Sequence, residues 1–527
     1  MADPRVATLD EGTELGRRYV SDFAQVEGFY AGDYRRPEYL AAHANRLLSR
    51  TWAARFDRAA LSELLHDFAQ RHGALPPVFE SIQRLRQPHT VCVLTGQQAG
   101  LGGGPLLTLY KAVTAIKLAR DLETAAGLAV VPVFWNASDD SDLEEVNRLR
   151  AVFDGSLRKF RFRMSAGRRP VREIALPPAD DAQWAEAEAL FKDASFSVEA
   201  VRLLRDGAGR DFGTAFTRLV LGLLGERGLV VIEPRALTAH PQWRRLMAFE
   251  INGREQNRQQ LQRLSERLDG MGLPAGVAIT NHLNLFLTRD GERRHVTSEG
   301  RRLVLEGASG TASKTSLLAR LKAEPGAFTP NVLLRPLVQN AIFPTVAYVG
   351  GQAEIAYHAL LKGLHRSAQV FMPLLFPRMS MTLVQASDAR RFDELVAFRK
   401  GVKWRQKEAA IVSEGTQAGL KAAFSSMRAD LKGLARPLEP ELGRLEQRTA
   451  RAMHDVMNRV RHDPLKGLPG GKDFEVMMNR YFPEDKPQER VITLVSALAA
   501  HGPGLMEKVF SHPDVFDFNH LVVIVDG

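Results

Sequence analysis

The stretch Val91 to Arg120, VCVLTGQQAGLGGGPLLTLYKAVTAIKLAR, constrains the fold more than any other part of the chain. Val91-Cys92-Val93-Leu94 is a short apolar run of the kind that makes a fully buried strand. Thr95-Gly96-Gln97-Gln98 and Gly100 through Pro105 then supply a glycine-rich turn. From Leu106 the spacing turns helical, with Leu106, Leu109, Val113, Ile116 and Leu118 apolar and Lys111, Lys117 and Arg120 polar. Strand, glycine loop and helix form the opening unit of a doubly wound α/β fold. In such folds anions and nucleotides bind at the carboxyl edge of the sheet, beside the helix N-terminus. Five glycines (Gly96, Gly100, Gly102, Gly103 and Gly104) let a ligand approach the backbone, at an entropic cost that a mere linker does not require. With the amides of Gln97 and Gln98 beside the turn, a binding loop is the stronger reading than a flexible connection.

At 527 residues, 45% hydrophobic and 25% charged, the chain has room for two to four ordinary globular domains. No apolar run approaches the roughly 18 residues of a membrane span. The opening MADPRVATLDEG lacks a basic-then-apolar leader pattern, so a cytoplasmic location is expected. Cys92 is the single cysteine, which excludes an intramolecular disulfide framework and argues against a cysteine-based zinc site. The net charge of +10 is concentrated between Arg390 and Arg461, where sixteen Lys/Arg against nine Asp/Glu leave +7. A basic stripe can bind nucleic acid, but the solvated face of a long helix is the commoner case. Without interleaved aromatics or zinc-finger spacing, nucleic acid is not the expected partner.

Residues 1–88 read as helical, in LAAHANRLLSRTWAARF and LSELLHDFAQRHG, with Pro76-Pro77 breaking the pattern. The core is expected over 89–387. Val130 to Trp135 reads as a second buried strand, opening into Ser138-Asp139-Asp140-Ser141-Asp142 and a helical Leu143-Glu144-Glu145-Val146. Residues of about 152–205 and 240–325 read as insertions. The second contains Asp290-Gly291, a hairpin signal. Pro344 to Val349, Gly350-Gly351 and the helix from Glu354 repeat the strand–glycine–helix logic. Residues 388–468 carry heptad-like apolar faces, Leu420, Phe424, Met427, Leu431 and Leu434 on one and Leu442, Leu445, Met453, Met457 and Val460 on the other. They read as an antiparallel helical hairpin, a coiled-coil arm suited to dimerisation. Residues 469–527 give two more helices and a closing strand, Leu521 to Val525, placed to return to the main sheet.

Asp139, Asp140 and Asp142 follow a buried strand at the edge where ligands sit. They are candidates to hold Mg²⁺ with a nucleotide or to act as a general base, against the plainer role of helix capping. Arg335, in apolar surroundings, needs a partner, either a structural carboxylate or a ligand anion, and Arg378 is a second anion contact. Glu354 is either a substrate ligand or a helix-start carboxylate. Cys92, inside an apolar strand, reads as a core residue. GASGTASKTS, from Gly307 to Ser316, lacks the glycine that a phosphate loop needs before Lys314. None of the fourteen histidines shows a metal-ligand pairing, and no metal site is firmly assigned.

Four stretches together resemble one family, the cysteine-adding ligases of bacillithiol biosynthesis. They are TGQQAGL…GPLLTLYKA at Thr95 to Ala112, VPVFWNASDDSDLEEVN at Val131 to Asn147, FTPNVLLRPLVQNAIFPTVAYVGGQAEIAY at Phe328 to Tyr357, and FMPLLFPRMSMT at Phe371 to Thr382. The resemblance implies a Rossmann-like core with two connecting insertions and a coiled-coil arm forming a homodimer. It further implies amide formation between the carboxyl of cysteine and the amine of glucosaminyl malate. Amide formation in water requires an activated carboxyl, which leaves ATP with Mg²⁺, or another activated donor, as the expected cofactor. Asp139, Asp140, Asp142 and Glu354 are then the catalytic candidates. The candidate substrate or nucleotide contacts are Thr95, Gln97, Gln98, Gly100, Gly104, Lys111, Asn147, Arg335, Tyr348, Gly350, Gly351, Tyr357 and Arg378. Ser141 stands where the family carries a histidine. That difference defines the alternative, a divergent relative that binds a nucleotide or nucleotide-sugar without ligase turnover.

Overall fold

The computed structural model describes residues 5–7, 12–300, 302–307, 311–430, 435–462, 471–511 and 514–525. Five parallel strands form its centre: β1 (Thr90–Gln97), β2 (Ala129–Asn136), β3 (Val230–Ile232), β4 (Thr345–Gly350) and β5 (Leu374–Pro377). Their spatial order is β5-β4-β1-β2-β3, the doubly wound order in which the chain leaves β1 to one side and returns on the other at β4. Val91, Val93, Val131, Val133, Val346 and Val349 are buried along these strands, the near-continuous apolar run required of a sheet covered on both faces. The crevice between the carboxyl ends of β1 and β4 is therefore the topological switch point.

Helix α1 (Leu107–Ala126) follows the glycine loop and packs on β1 and β2, as its apolar spacing requires. Helix α2 (Gln352–His358) starts directly after β4. The helices before the sheet include Arg58–Arg71 and Pro76–Arg86. Pro76-Pro77 does not merely break a pattern; the two prolines open the second of these helices, where a missing N–H costs nothing.

The first insertion holds an antiparallel pair, Leu149–Phe153 with Ser156–Phe160, and short helices. The second begins with a 30-residue helix, Pro241–Gly270, and continues as an antiparallel sheet. Within it His282–Arg289 and Glu292–Glu299 are joined at Asp290-Gly291, where φ of 53° and 76° give the two left-handed residues of a tight hairpin. Ser313 caps helix Lys314–Ala323 through a reciprocal capping box with Ser316, which accounts for these two serines without a phosphate.

The closing strand departs from expectation. His520–Val525 pairs in parallel with Ser380–Gln385 and antiparallel with Arg5–Ala7, in a separate three-stranded sheet beside the main one. The arm forms as two consecutive helices, Phe392–Asp430 and Ala435–His462. Arg428, near the end of the first, pairs with Glu439 and Glu446 in the second, so the two run antiparallel. Phe424 and Leu442 are buried, whereas Met427 and Leu445 are 42% and 51% exposed. Leu431 and Leu434, and the side chains of Met453, Met457 and Val460, lie outside the described residues. Among the described residues no helix is long and apolar enough to cross a membrane.

Candidate active site

A cavity of about 770 Å³ opens at the switch point, between the carboxyl ends of β1 and β4 and the antiparallel sheet of the second insertion. Its floor is a buried ion pair. Lys111 lies in the second turn of α1, and because helical side chains lean toward the N-terminus its ammonium reaches back to the end of β1. There it donates to Gly96 O and Gln97 Oε1, both at 2.9 Å, and pairs with Glu354. Glu354 also accepts from Tyr348 OH at 2.8 Å and from Gly351 N at 2.9 Å. Burial pushes its carboxyl up, but Lys111, the Gly351 N–H and Arg335 more than offset that and hold it at about 2. Burial draws the Lys111 ammonium below its ordinary value against the pull of Glu354. Glu354 is thus an ionised, fully engaged carboxylate that ties β4 to β1, which removes it as a free base.

Arg335 lines the cavity with donors to spare. Its Nη2 donates to Tyr357 OH at 2.9 Å, while its buried Nε has no partner among the described residues. Arg378 also lines the cavity, but it is clamped in two places by Glu489 and donates to Met379 O at 2.9 Å. The expected second anion contact is therefore already satisfied within the chain.

The acidic side is Asp139 and Asp140, and the sequence left their compensating cation open. It is Arg293, from the hairpin of the second insertion. Arg293 Nη1 lies 3.3 Å from Asp140 Oδ1 and Nη2 lies 3.9 Å from Asp139 Oδ2. Its Nε donates to Thr329 Oγ1 at 3.1 Å, and its guanidinium sits over the Phe286 ring at 3.8 Å. Gln98 Nε2 donates to Asp140 Oδ2 at 2.8 Å. Two residues on from Arg293, His295 packs on the same Phe286 ring at 4.6 Å and stacks on His282 at 4.3 Å, and both histidines line the cavity. Burial, with His282 beside it, lowers the His295 imidazole, so it is neutral near pH 7.

Several expected contacts lie elsewhere. Asp142 caps helix Leu143–Val146, accepting from Glu145 N at 2.9 Å, and does not line the cavity. Asn147 spends its amide on both backbone groups of Phe162, a structural brace. Thr95 is buried and donates to Val349 O at 2.9 Å, stitching β1 to β4. Tyr348 and Gly350 are outside the cavity lining, whereas Gly351 and Tyr357 are in it. Gly100 and Gly104 also stand outside. The Gly100, Gly103 and Gly104 N–H groups are used on Gln98, Gly100 and Leu101 carbonyls, and Gly102 and Gly103 pack against Leu149 and Leu494 at φ of 59° and 87°. The glycine loop is a packing device whose amides do not fit a phosphate. Cys92 is buried with its thiol pushed up to about 12 by burial, a core residue as expected. Among the described residues no group of three or more His, Cys, Asp or Glu is placed to hold a metal ion.

Behind the acidic loop, Ser138 Oγ donates to Glu233 Oε2 at 2.6 Å and Thr217 Oγ1 to Oε1 at 3.0 Å. Burial raises the Glu233 carboxyl to about 7, against an ordinary 4.5. The folded chain therefore holds a proton there that the unfolded chain has lost, so this group's contribution falls as pH rises from about 4.5 to 7. Glu233→Gln is expected to remove up to roughly 3 kcal/mol of that decline, read by denaturant unfolding at pH 5 and pH 7.5. An unchanged pH slope would place the proton elsewhere.

A model of the bacillithiol biosynthesis BshC N-terminal Rossmann-like domain matches residues 4–379, and one of the BshC C-terminal coiled-coil domain matches residues 469–525. A Symbiobacterium thermophilum protein named "Putative cysteine ligase BshC" is 29% identical over 531 residues, covering 93% of this chain and 94% of its own. Proteins of the same name from Bacillus licheniformis and Salinibacter ruber are 27% and 28% identical, over 96% and 95% of this chain and 97% and 94% of theirs. The matched Rossmann-like region contains both strands that meet at the switch point and all of the cavity lining except Arg490, which lies in the matched C-terminal region. The chain belongs to the BshC family of bacillithiol biosynthesis.

Proposed function

We propose that this protein is a ligase that joins the carboxyl of cysteine to the amine of glucosaminyl malate. The observation that carries the reading is a single cavity offering an unpartnered guanidinium donor at Arg335 and an acidic pair at Asp139 and Asp140. Arg335 suits a malate carboxylate, since its planar fork matches an oxyanion. Arg293 offsets one of the two acidic charges, and Asp140, 37% exposed in the cavity lining, remains able to accept a hydrogen bond from the amine. The amide forms as the amine nitrogen bonds to the cysteine carbonyl carbon and the activating group departs. The amine proton passes to the acidic pair or to the neutral His295. The carboxyl must be activated before this step, with ATP the expected donor, and no residue of the glycine loop is assigned to hold it.

Purified protein given cysteine, glucosaminyl malate and ATP should yield a product weighing the sum of the two substrates less one water, by mass spectrometry. Arg335→Lys should raise KM for the malate-bearing substrate by roughly 10- to 100-fold with a smaller change in kcat. Absence of product with ATP and with other activated donors would end this reading.

The chain acts in the cytoplasm as a homodimer, on the same proposal. Met427 and Leu445 leave apolar surface on the arm that one hairpin does not cover. Leu445→Lys should shift the light-scattering mass to that of a monomer; a dimer that survives it associates through another face.

A further inference from the structure

On the far side of the acidic loop, a recess of about 410 Å³ lies where the first insertion, the β3 exit and the hairpin of the second insertion meet. It is lined by Arg172, Arg235, Arg289 and Arg320 with Glu173, Asp290 and Glu324. Three of the arginines each have a carboxylate: Arg172 with Glu173 at 3.4 Å, Arg289 with Asp290 at 3.6 Å, and Arg320 with Glu324 at 3.3 Å. Arg235 is exposed and has no such partner among the described residues.

Arg172 is the unusual member. Its side chain is 7% exposed, yet among the described residues its buried Nε and Nη1 have no acceptor, and the buried Thr288 Oγ1 lining the same recess has no partner either. A buried guanidinium with open donors needs an acceptor, and the described residues supply none to Nε and Nη1. Water or a small oxyanion entering the recess can supply it.

We infer that this recess is a second ligand site, separate from the cavity above, taking a small multivalent oxyanion, a phosphate or a carboxylate, on Arg172, Arg235 and Thr288. The inference does not depend on the ligase reading. The site is wired to the acidic loop through the backbone: Arg172 N donates to Ser138 O at 3.1 Å and Val171 N to Asp140 O at 2.8 Å, bracketing Asp139. An anion drawing on Arg172 therefore bears on the segment that positions Asp139 and Asp140.

Hydrogen exchange on the full-length protein tests this, following peptides over 169–175 and 286–292 while inorganic phosphate, pyrophosphate or citrate is titrated. Saturable protection of both segments is expected in the native protein and in Arg335→Ala, whose altered cavity should not matter. Tighter response to the two phosphates identifies a phosphate site, and to citrate a carboxylate site. Arg235→Ala, an exposed change that should fold, is expected to weaken the response about tenfold, and Arg172→Gln to abolish it. No saturable protection with any of the three anions would overturn the inference. So would protection that is undiminished in Arg235→Ala.

Discussion

Lys111→Met is expected to cost about 3–5 kcal/mol of folding free energy, because it leaves the Glu354 carboxylate buried without its nearest cation. The two side chains are only 5% and 16% exposed, so water does not replace the lost ammonium. The change also strips the partner from Gly96 O and Gln97 Oε1. Lys111→Met combined with Glu354→Gln should recover much of the loss, since removing both charges avoids the stranded one. Denaturant unfolding at pH 7 measures all three proteins. A single-variant loss under about 1 kcal/mol would mean that the pair behaves as an exposed one.

The same pair sets an acid limit. The carboxyl of Glu354 is held at about 2 against an ordinary 4.5, so its contribution is complete above about 4.5 and disappears as pH falls toward 2. The gap is worth roughly 3 kcal/mol across that window, where Lys111 is charged in the folded and unfolded chain alike, so the lowering of Lys111 by burial is a constant cost there. This window lies below that of Glu233, where stability instead declines as pH rises. The two carboxylates are therefore separable by pH alone.

How legible was this site in the sequence? The strand–glycine–helix units at Val91 to Arg120 and Pro344 onward placed β1, β4 and the switch point, because buried parallel strands read as short apolar runs between glycines. They also placed Gln97, Lys111, Gly351 and Glu354, which are fixed by local geometry at the ends of those strands. What could not be read was which side chain meets which across the insertions. Arg293 stands 153 residues from Asp140, and Glu489 stands 111 residues from Arg378. Neither pairing leaves a periodic trace. The glycine loop misled for a related reason: glycines needed for close packing against Leu149 and Leu494 have the same composition as glycines needed for a phosphate. Ser141 does not line the cavity, while His282 and His295 from the second insertion do.

The identity of the cation facing Asp139 and Asp140 leads to the last expected result. If the acidic pair were held for a ligand cation, removing one charge would relieve repulsion and raise the melting temperature of the free protein. With Arg293 resident, the opposite follows: Asp140→Asn weakens charge-assisted bonds from Arg293 and Gln98, and should lower stability by about 1 kcal/mol. Arg293→Met should be far more damaging, about 3 kcal/mol or more, because Asp139 is 7% exposed and loses its nearest cation. Methionine still packs on Phe286, so the loss reports charge more than volume. Adding Asp139→Asn to Arg293→Met should restore part of it, and the free Arg293→Met protein should gain a Mg²⁺-dependent rise in melting temperature that the native protein lacks. A rise in melting temperature for Asp140→Asn alone would contradict this, and would return the acidic pair to the role of a cation site awaiting its ligand.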